Sequence, residues 1–241
     1  MEARARVDVD DIANTRGPMV GRASELRVLT DALARMRRDR SPQLVTLVGV
    51  PGIGKSRLIA ELWSVDEADA GFLHWRQGRS LPYGDGVTLS ALAEMVKAQA
   101  GILETDSPDE AGEKLATCVA ALIPDQVDAQ WVEGHLRPLA GIKRDTDPVG
   151  NRRDEAFSAW RRFFEALSDE SPLILVFDAL HWADDNLLDF VEYVVDWAVG
   201  VPILVVCTTR PELLQRALAF YSEVGATRYL RHGQALRAAS A

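Results

Sequence analysis

The sequence has few residues that could cross-link it, hold a metal or cross a membrane. Among 241 residues only Cys118 and Cys207 are cysteines, so a disulfide framework is not expected, and the four histidines form no metal-binding cluster. His135 falls at helical spacing with Trp131 and Leu136, which favours a packing or surface role over metal ligation. No apolar run is long enough to span a bilayer, and no signal-like stretch opens the sequence. We therefore expect a cytoplasmic protein with reduced thiols.

Basic charge is also scarce. The chain carries 27 Lys and Arg residues against 36 Asp and Glu residues, a formal charge of −9 with a pI near 5.0. An acidic chain is repelled by nucleic acid and by anionic membranes, so neither is expected as a direct partner. The local cluster Arg35, Arg37, Arg38 and Arg40 is typical of a solvated helix face. The 47% hydrophobic content is sufficient for one sizeable folded domain.

Residues 49–56, Gly-Val-Pro-Gly-Ile-Gly-Lys-Ser, fit the phosphate-binding pattern G-x-x-x-x-G-K-[S/T]. The pattern follows the strand-like run 44–48 and precedes the helical segment 57–63, as the motif requires. That context favours a phosphate site over a chance match in a glycine-rich loop. The predicted nucleotide contacts in this region are Gly49, Pro51, Gly52, Ile53, Gly54, Lys55, Ser56 and Arg57.

The residue types in this loop match the chemistry of phosphate binding. Glycines let backbone N–H groups approach phosphate oxygens at a helix N-terminus, whose positive dipole end favours an anion. Lys55 is expected to neutralise the β- and γ-phosphates, and the Ser56 hydroxyl is expected to coordinate Mg²⁺. The sequence therefore predicts a nucleoside triphosphate site.

The remaining pattern alternates strand-like and helical segments. This alternation predicts an α/β fold of the P-loop NTPase type, with three αβα layers and a mostly parallel sheet. The predicted strands are 44–48, 72–76, 173–177 and 203–208, and the predicted helices are 23–38, 57–63, 90–100, 155–167 and 184–198, with short helices in 101–150.

Two strand ends carry further candidate site residues. Asp178 follows the apolar strand 173–177, as expected of a Walker B carboxylate that holds Mg²⁺, although an ordinary strand-end aspartate would give the same pattern. The upstream phosphate loop favours the paired interpretation. Thr208, Thr209 and Arg210 end the next strand, where Arg210 could sense the γ-phosphate. Lys55, Asp178 and Arg210 are thus the candidate catalytic residues, and Ser56 and Asp178 the candidate metal ligands.

Residues 176–184, Val-Phe-Asp-Ala-Leu-His-Trp-Ala-Asp, resemble the extended Walker B of signal-transduction AAA-type ATPases of the STAND class. The similarity extends over roughly residues 18–213 and includes 78–84, 157–167 and 208–212. The resemblance implies a module of the kind found in large LuxR-type regulators and beside class III adenylate cyclase domains. It implies ATP and Mg²⁺ as cofactors, and it places Val20, Gly21 and Arg22 near the adenine pocket and Arg210 near the phosphate.

The sequence departs from this family at Ala179, where a second acidic residue usually orients or activates the attacking water. Alanine cannot accept a proton, so we expect ATP to be retained and hydrolysed slowly. Asp184 or Asp185 could substitute, although each is better suited to cap the helix that follows.

A second departure concerns the last part of the sequence. We predict a flexible lead-in at 1–17, an ATPase domain at 18–213 without the family's usual lid and winged helix, and a helical tail at 214–241. The tail is similar to a terminal helical-repeat segment of the same large proteins, which suggests a shortened relative. A helical pair that covers a sheet edge is the alternative.

These observations leave three functional hypotheses. The first is an ATP-binding switch module of a signal-transduction regulator, with self-association or a signalling protein as its partner. The others are an ATPase with ordinary turnover and a non-catalytic interaction domain. A small-molecule kinase is disfavoured because no acceptor motif is present. The choice of ATP over GTP rests on the resemblance, since the phosphate-binding residues do not read the base.

Overall fold

The computed structural model describes residues 20–68, 73–82, 89–142 and 153–213. Four strands alternate with seven α-helices and one short 3₁₀ helix at Leu180–Trp182 within these ranges. The strands are β1 (Gln43–Val48), β2 (His74–Arg79), β3 (Leu173–Asp178) and β4 (Ile203–Thr209). The α-helices are α1 (Ala23–Asp39), α2 (Lys55–Ala68), α3 (Ser90–Ala100), α4 (Pro108–Leu122), α5 (Gln126–Leu136), α6 (Arg153–Glu170) and α7 (Asp185–Trp197).

The strands form one parallel sheet in the order β1-β4-β3-β2. Strand β4 therefore lies between the strand that precedes the phosphate loop and the strand that ends in Asp178. Because parallel strands share one carboxyl edge, the residues that follow all four strands meet there. The predicted parallel α/β fold is confirmed.

Both faces of the sheet are covered by helices. On one face, α1 and α2 pack against Ile174, Val176, Leu204 and Val206. On the other face, helices α3 to α7 pack against the alternate strand residues, which include Phe177. Burial on both sides explains why β3 and β4 are continuous apolar runs instead of alternating ones. The three-layer arrangement is the one that the sequence predicts.

Several helix ends are fixed by side-chain hydrogen bonds to the first helical turn. Ser107 caps α4 in a reciprocal capping box with Glu110, directly before the proline at the first helical position. Asp184 caps α7 by accepting a hydrogen bond from the Leu187 N–H at 2.9 Å. The aromatic side chains of α6 are buried, and the ring of Phe157 lies edge-on to Phe190 at 5.3 Å.

Two side-chain predictions are also met. His135 packs beside the Trp131 ring, 5.0 Å away, and its Nδ1 lies 2.8 Å from the Trp131 carbonyl oxygen. Both cysteines are free thiols. Burial raises the pKa of Cys207 to about 12 and that of Cys118 to about 11, so both stay protonated near neutral pH.

The second strand differs from its prediction. The strand expected at 72–76 begins at His74 and continues to Arg79, because residues 74–79 pair in register with Leu173–Asp178. The sequence pattern missed this extension since Gln77 and Arg79 are polar, whereas register with a neighbouring strand depends on backbone pairing. Residues 1–17, 83–84 and 214–241, which include the predicted lead-in and tail, lie outside the described residues.

Gly78 allows β2 and α3 to approach closely. A Cβ atom at this position would lie 1.9 Å from the carbonyl oxygen of Ala91, in the first turn of α3. Neither backbone could give way locally, since Ser90 and Glu94 also bond the neighbouring Arg79 backbone at 3.1 and 2.8 Å. Only glycine fits here.

We expect Gly78→Ala to destabilise the chain by more than about 2 kcal/mol, because the added methyl group overlaps a backbone carbonyl. The matched control is Gly134→Ala in α5, where no heavy atom lies within 4 Å of the added Cβ. That change should stabilise the protein by roughly 0.5–1 kcal/mol through helix propensity. Urea unfolding of both variants measures the difference, and equal stabilities would contradict the close approach.

Candidate nucleotide-binding site

The phosphate loop connects β1 directly to α2. Gly52 and Gly54 have φ angles of +77° and +100°, a backbone conformation that side chains disfavour. The Gly49 N–H donates to the Thr209 carbonyl at 3.2 Å, which ties the loop to the end of β4. A Cβ at Gly49 would lie 2.8 Å from Cγ2 of Ile53, so the Ile53 side chain occupies that space. Gly52 and Gly54 are therefore required by their backbone conformation, whereas Gly49 is required by the lack of space for a side chain.

The N-terminus of α2 provides donors for an anion. The Leu58 N–H bonds to the Gly54 carbonyl at 3.1 Å, so the N–H groups of residues 55–57 belong to the first helical turn, where intrahelical acceptors are lacking. Ser56 lies in the same turn with an exposed side chain. Pro51 and Gly52 form the turn that directs the loop over this helix end. Both the donors and the helix dipole suit a phosphate.

Lys55 folds back into the loop. Its Nζ donates to the carbonyl oxygens of Gly49 and Val50, at 2.6 and 3.1 Å. Burial lowers the pKa of Lys55, and the neighbouring Arg210 cation adds to this effect while the Asp178 carboxylate opposes it. The lysine therefore lies within electrostatic reach of both other predicted catalytic residues, although the three are far apart in sequence.

Residues 20–22 reach the loop only through Arg22. Gly21 joins Val20 to Arg22, whose Nη1 donates to Glu25 at 2.6 Å and whose Nη2 donates to the Ile53 carbonyl at 3.3 Å. Val20 is 83% exposed. The structure thus places Arg22 against the phosphate loop, whereas a nucleotide contact by Val20 stays a prediction.

The Arg57 side chain is engaged within α2. Its Nε and Nη2 atoms donate to Oε1 of Glu61, at 2.8 and 2.5 Å, one helical turn further along. The guanidinium is therefore directed along the helix, and the backbone N–H is the part of Arg57 that belongs to the helix N-terminus. A contact between the Arg57 side chain and a nucleotide stays a prediction.

Asp178 ends β3, and both of its carboxylate oxygens accept hydrogen bonds. Oδ1 accepts from the Thr208 hydroxyl, and Oδ2 accepts from Nε of Arg79 at 3.0 Å. Thr208 is almost completely buried, and its Oγ1 also accepts from the Ala179 N–H at 2.9 Å. These bonds hold the carboxylate at the carboxyl edge of the sheet. Mg²⁺ prefers oxygen ligands in proteins. The Asp178 carboxylate and the Ser56 hydroxyl of the phosphate loop are both ligands of this kind.

Ala179, the predicted departure, has a φ of +59°, a conformation that asparagine, aspartate and glycine adopt more readily. Asp184, one proposed substitute for the missing acid, is committed to its capping bond with Leu187. Asp185 is exposed in the first turn of α7. The predicted capping role is thus confirmed for Asp184.

Arg210 follows β4 and lies over the Trp182 ring, with 5.6 Å between the guanidinium carbon and the ring centroid. The neighbouring His181 is partly exposed, yet both of its ring nitrogens are buried without a hydrogen-bond partner among the described residues. Burial lowers the pKa of His181, and the cations Arg210 and Lys55 lower it further, against the opposing effect of Asp178 and Glu212. The imidazole is therefore neutral near pH 7.

Sequence reasoning did not assign a site role to Arg79, His181 or Trp182 individually. Arg79 and the His-Trp pair belonged to segments noted only for their family similarity. The signal for Arg79 was its place directly opposite Asp178 in the β2–β3 register. That register became visible only with the sheet assembled.

Two further properties of the described ranges are relevant to ligands. No helix there has the length and apolar character to cross a membrane. In the same ranges, no group of three or more His, Cys, Asp or Glu side chains is arranged to hold a metal ion on its own.

Comparison with known proteins bears on the family of the chain. The sequence profile of the AAA ATPase domain matches residues 18–206. No curated protein sequence matches the chain. The crystal structure of Cdc6p from Pyrobaculum aerophilum is similar, with a TM-score of 0.44 and 13% identity over 86% of this chain and 44% of that chain. This chain therefore spans less than half the length of that structure. Because the family profile covers most of its residues, the chain belongs to the AAA ATPase domain family.

Proposed function

We propose that the chain is the ATP-binding module of a signal-transduction ATPase, in which bound Mg-ATP biases conformation or assembly and hydrolysis is slow. The observation that carries this proposal is the convergence of Lys55, Asp178 and Arg210 at the carboxyl edge of the sheet, beside an alanine at position 179. Members of the AAA ATPase family generally bind ATP with Mg²⁺. The regulatory role is inferred from the resemblance of residues 176–184 to STAND-class modules.

Each residue of the loop has a distinct task under this proposal. The N–H groups of residues 52–57 and Nζ of Lys55 bind the phosphates, and Lys55 exchanges its bonds to the Gly49 and Val50 carbonyls for phosphate oxygens. Ser56 and Asp178 would hold Mg²⁺, which neutralises phosphate charge when it is bound. Arg210 would contact the γ-phosphate by reorienting its guanidinium away from the Trp182 ring. The site can thus distinguish ATP from ADP.

A second candidate function is an ATPase with ordinary turnover, and His181 favours it. A neutral imidazole has one unprotonated ring nitrogen, and neither ring nitrogen of His181 has a hydrogen-bond partner among the described residues. That nitrogen could accept a proton from water, which Ala179 cannot do. Its placement near Lys55 and Arg210 puts it at the edge where the phosphates are proposed to bind. If His181 fills this role, His181→Gln should reduce turnover at least about tenfold without weakening ATP binding.

We expect Lys55→Ala to weaken binding of a non-hydrolysable ATP analogue by about 100-fold, since several charge-assisted hydrogen bonds to phosphate are lost. The matched control is Lys97→Ala, which removes the same charge from the last turn of α3. Calorimetric titration in excess Mg²⁺ measures both. Binding by Lys55→Ala within about threefold of the native value would contradict the proposed site.

We expect Ala179→Glu to raise ATP turnover at least about tenfold, because it restores a group able to orient or deprotonate water. Ala179→Gln has nearly the same shape without the basic carboxylate and should leave turnover unchanged. Phosphate release under saturating ATP measures the rates. A native rate that is already fast and unaffected by Ala179→Glu would favour the second candidate.

A further inference from the structure

Asp178 is paired with a cation where Mg²⁺ is proposed to bind. Its side chain is 15% exposed, whereas that of Arg79 is 50% exposed. The Arg79 Nε donates to Oδ2 of Asp178 at 3.0 Å, and Thr208 occupies Oδ1. Neither oxygen of the carboxylate is therefore without a donor in this state of the chain. A ligand that needs Asp178 must displace or share one of these donors.

Of the two donors, only the Arg79 side chain is free to leave. Thr208 is almost completely buried, and its hydroxyl also accepts the Ala179 N–H. The Arg79 backbone is held on three sides, because its N–H donates to Glu94 at 2.8 Å, its carbonyl accepts from Ser90 at 3.1 Å, and the register places it opposite Asp178. The guanidinium, by contrast, is half in solvent and can swing outward without moving the strand.

Electrostatics favours its departure on metal binding. Lys55 and Arg210 place two further cations at this edge, and Glu212 places a further carboxylate there in addition to Asp178. A dication beside Asp178 competes directly with the guanidinium for the same carboxylate oxygens. Without the metal, the guanidinium instead compensates a largely buried carboxylate, which would be costly to leave unpaired.

We propose that Arg79 is an exchangeable counter-cation for Asp178, which neutralises the carboxylate before nucleotide binding and is displaced when Mg²⁺ arrives with ATP. This inference rests on the proposed function, since it concerns the same site. Arg79 would then control how strongly ATP binding depends on Mg²⁺. Loading the site also releases a guanidinium at its rim, so the nucleotide state changes the charge exposed beside β2.

The test compares ATP-analogue affinity with Mg²⁺ and with EDTA in the full chain. We expect Arg79→Gln to tighten Mg-nucleotide binding by about fivefold, the equivalent of one partly exposed ion pair that no longer has to be broken. In EDTA, the affinity should be unchanged or weaker. Arg79→Lys keeps a cation and should stay close to the native Mg²⁺ dependence. Arg38→Gln removes an equal charge from an exposed pair at the far end of α1 and should change neither affinity.

The possible outcomes are distinct. Weaker nucleotide binding by Arg79→Gln in both conditions would mean that Arg79 contacts phosphate directly. A Mg²⁺ dependence equal to that of the native chain would mean that the Arg79–Asp178 ion pair plays no part in metal binding. Either result overturns the inference while leaving ATP binding intact. Absence of nucleotide binding by the native chain would overturn the proposed function and this inference together.

A spectroscopic measurement on the native chain makes the test independent of how Arg79→Gln folds. The Arg79 Nε–H is protected by its bond to Asp178, and Arg79→Lys identifies its NMR signal by removing it. We expect this signal to persist with the ATP analogue in EDTA and to shift or broaden when Mg²⁺ is added. A signal that Mg²⁺ leaves unchanged would contradict displacement.

Discussion

The parallel pairing of β3 with its two neighbours is the constraint on which the rest of the site depends. It places Asp178 beside Arg79 on one side and brings Thr208 within hydrogen-bonding distance on the other. The adjacent pairing of β1 with β4 brings the phosphate loop to the same edge, where Gly49 bonds to Thr209. A one-residue slip in any of these registers would turn the functional side chains to the opposite face.

The resulting edge brings charged side chains of both signs together. Asp178 is paired with Arg79 and also acts on Lys55, which lies within reach of the Arg210 cation. Burial of Lys55 makes its own charge less favourable. Under the proposed function, a triphosphate would replace some of the contacts that protein groups make with these cations. These contacts are the hydrogen bonds of Lys55 to the loop carbonyls and the stacking of Arg210 on Trp182. Ligand binding therefore exchanges several internal contacts instead of filling a neutral cavity.

Ala179 directly follows Asp178 at the end of β3. Its N–H is used structurally, as a donor to Thr208, while its methyl group contributes no acid or base. The short 3₁₀ helix that follows places His181 and Trp182 beside the same edge. Asp184, by contrast, is held in its capping bond to α7.

The sequence by itself determined the features that depend on neighbouring residues. The phosphate loop is a contiguous motif, the helix caps at Ser107 and Asp184 are local hydrogen bonds, and the apolar runs of β3 and β4 specify strands buried on both faces. Only the tertiary structure decided the extension of β2 and the pairing of Arg79 with Asp178, which are 99 residues apart. Register is set by backbone pairing and by helix packing on both sheet faces, as at Gly78 against α3, and these long-range contacts leave no periodic signal in the local sequence.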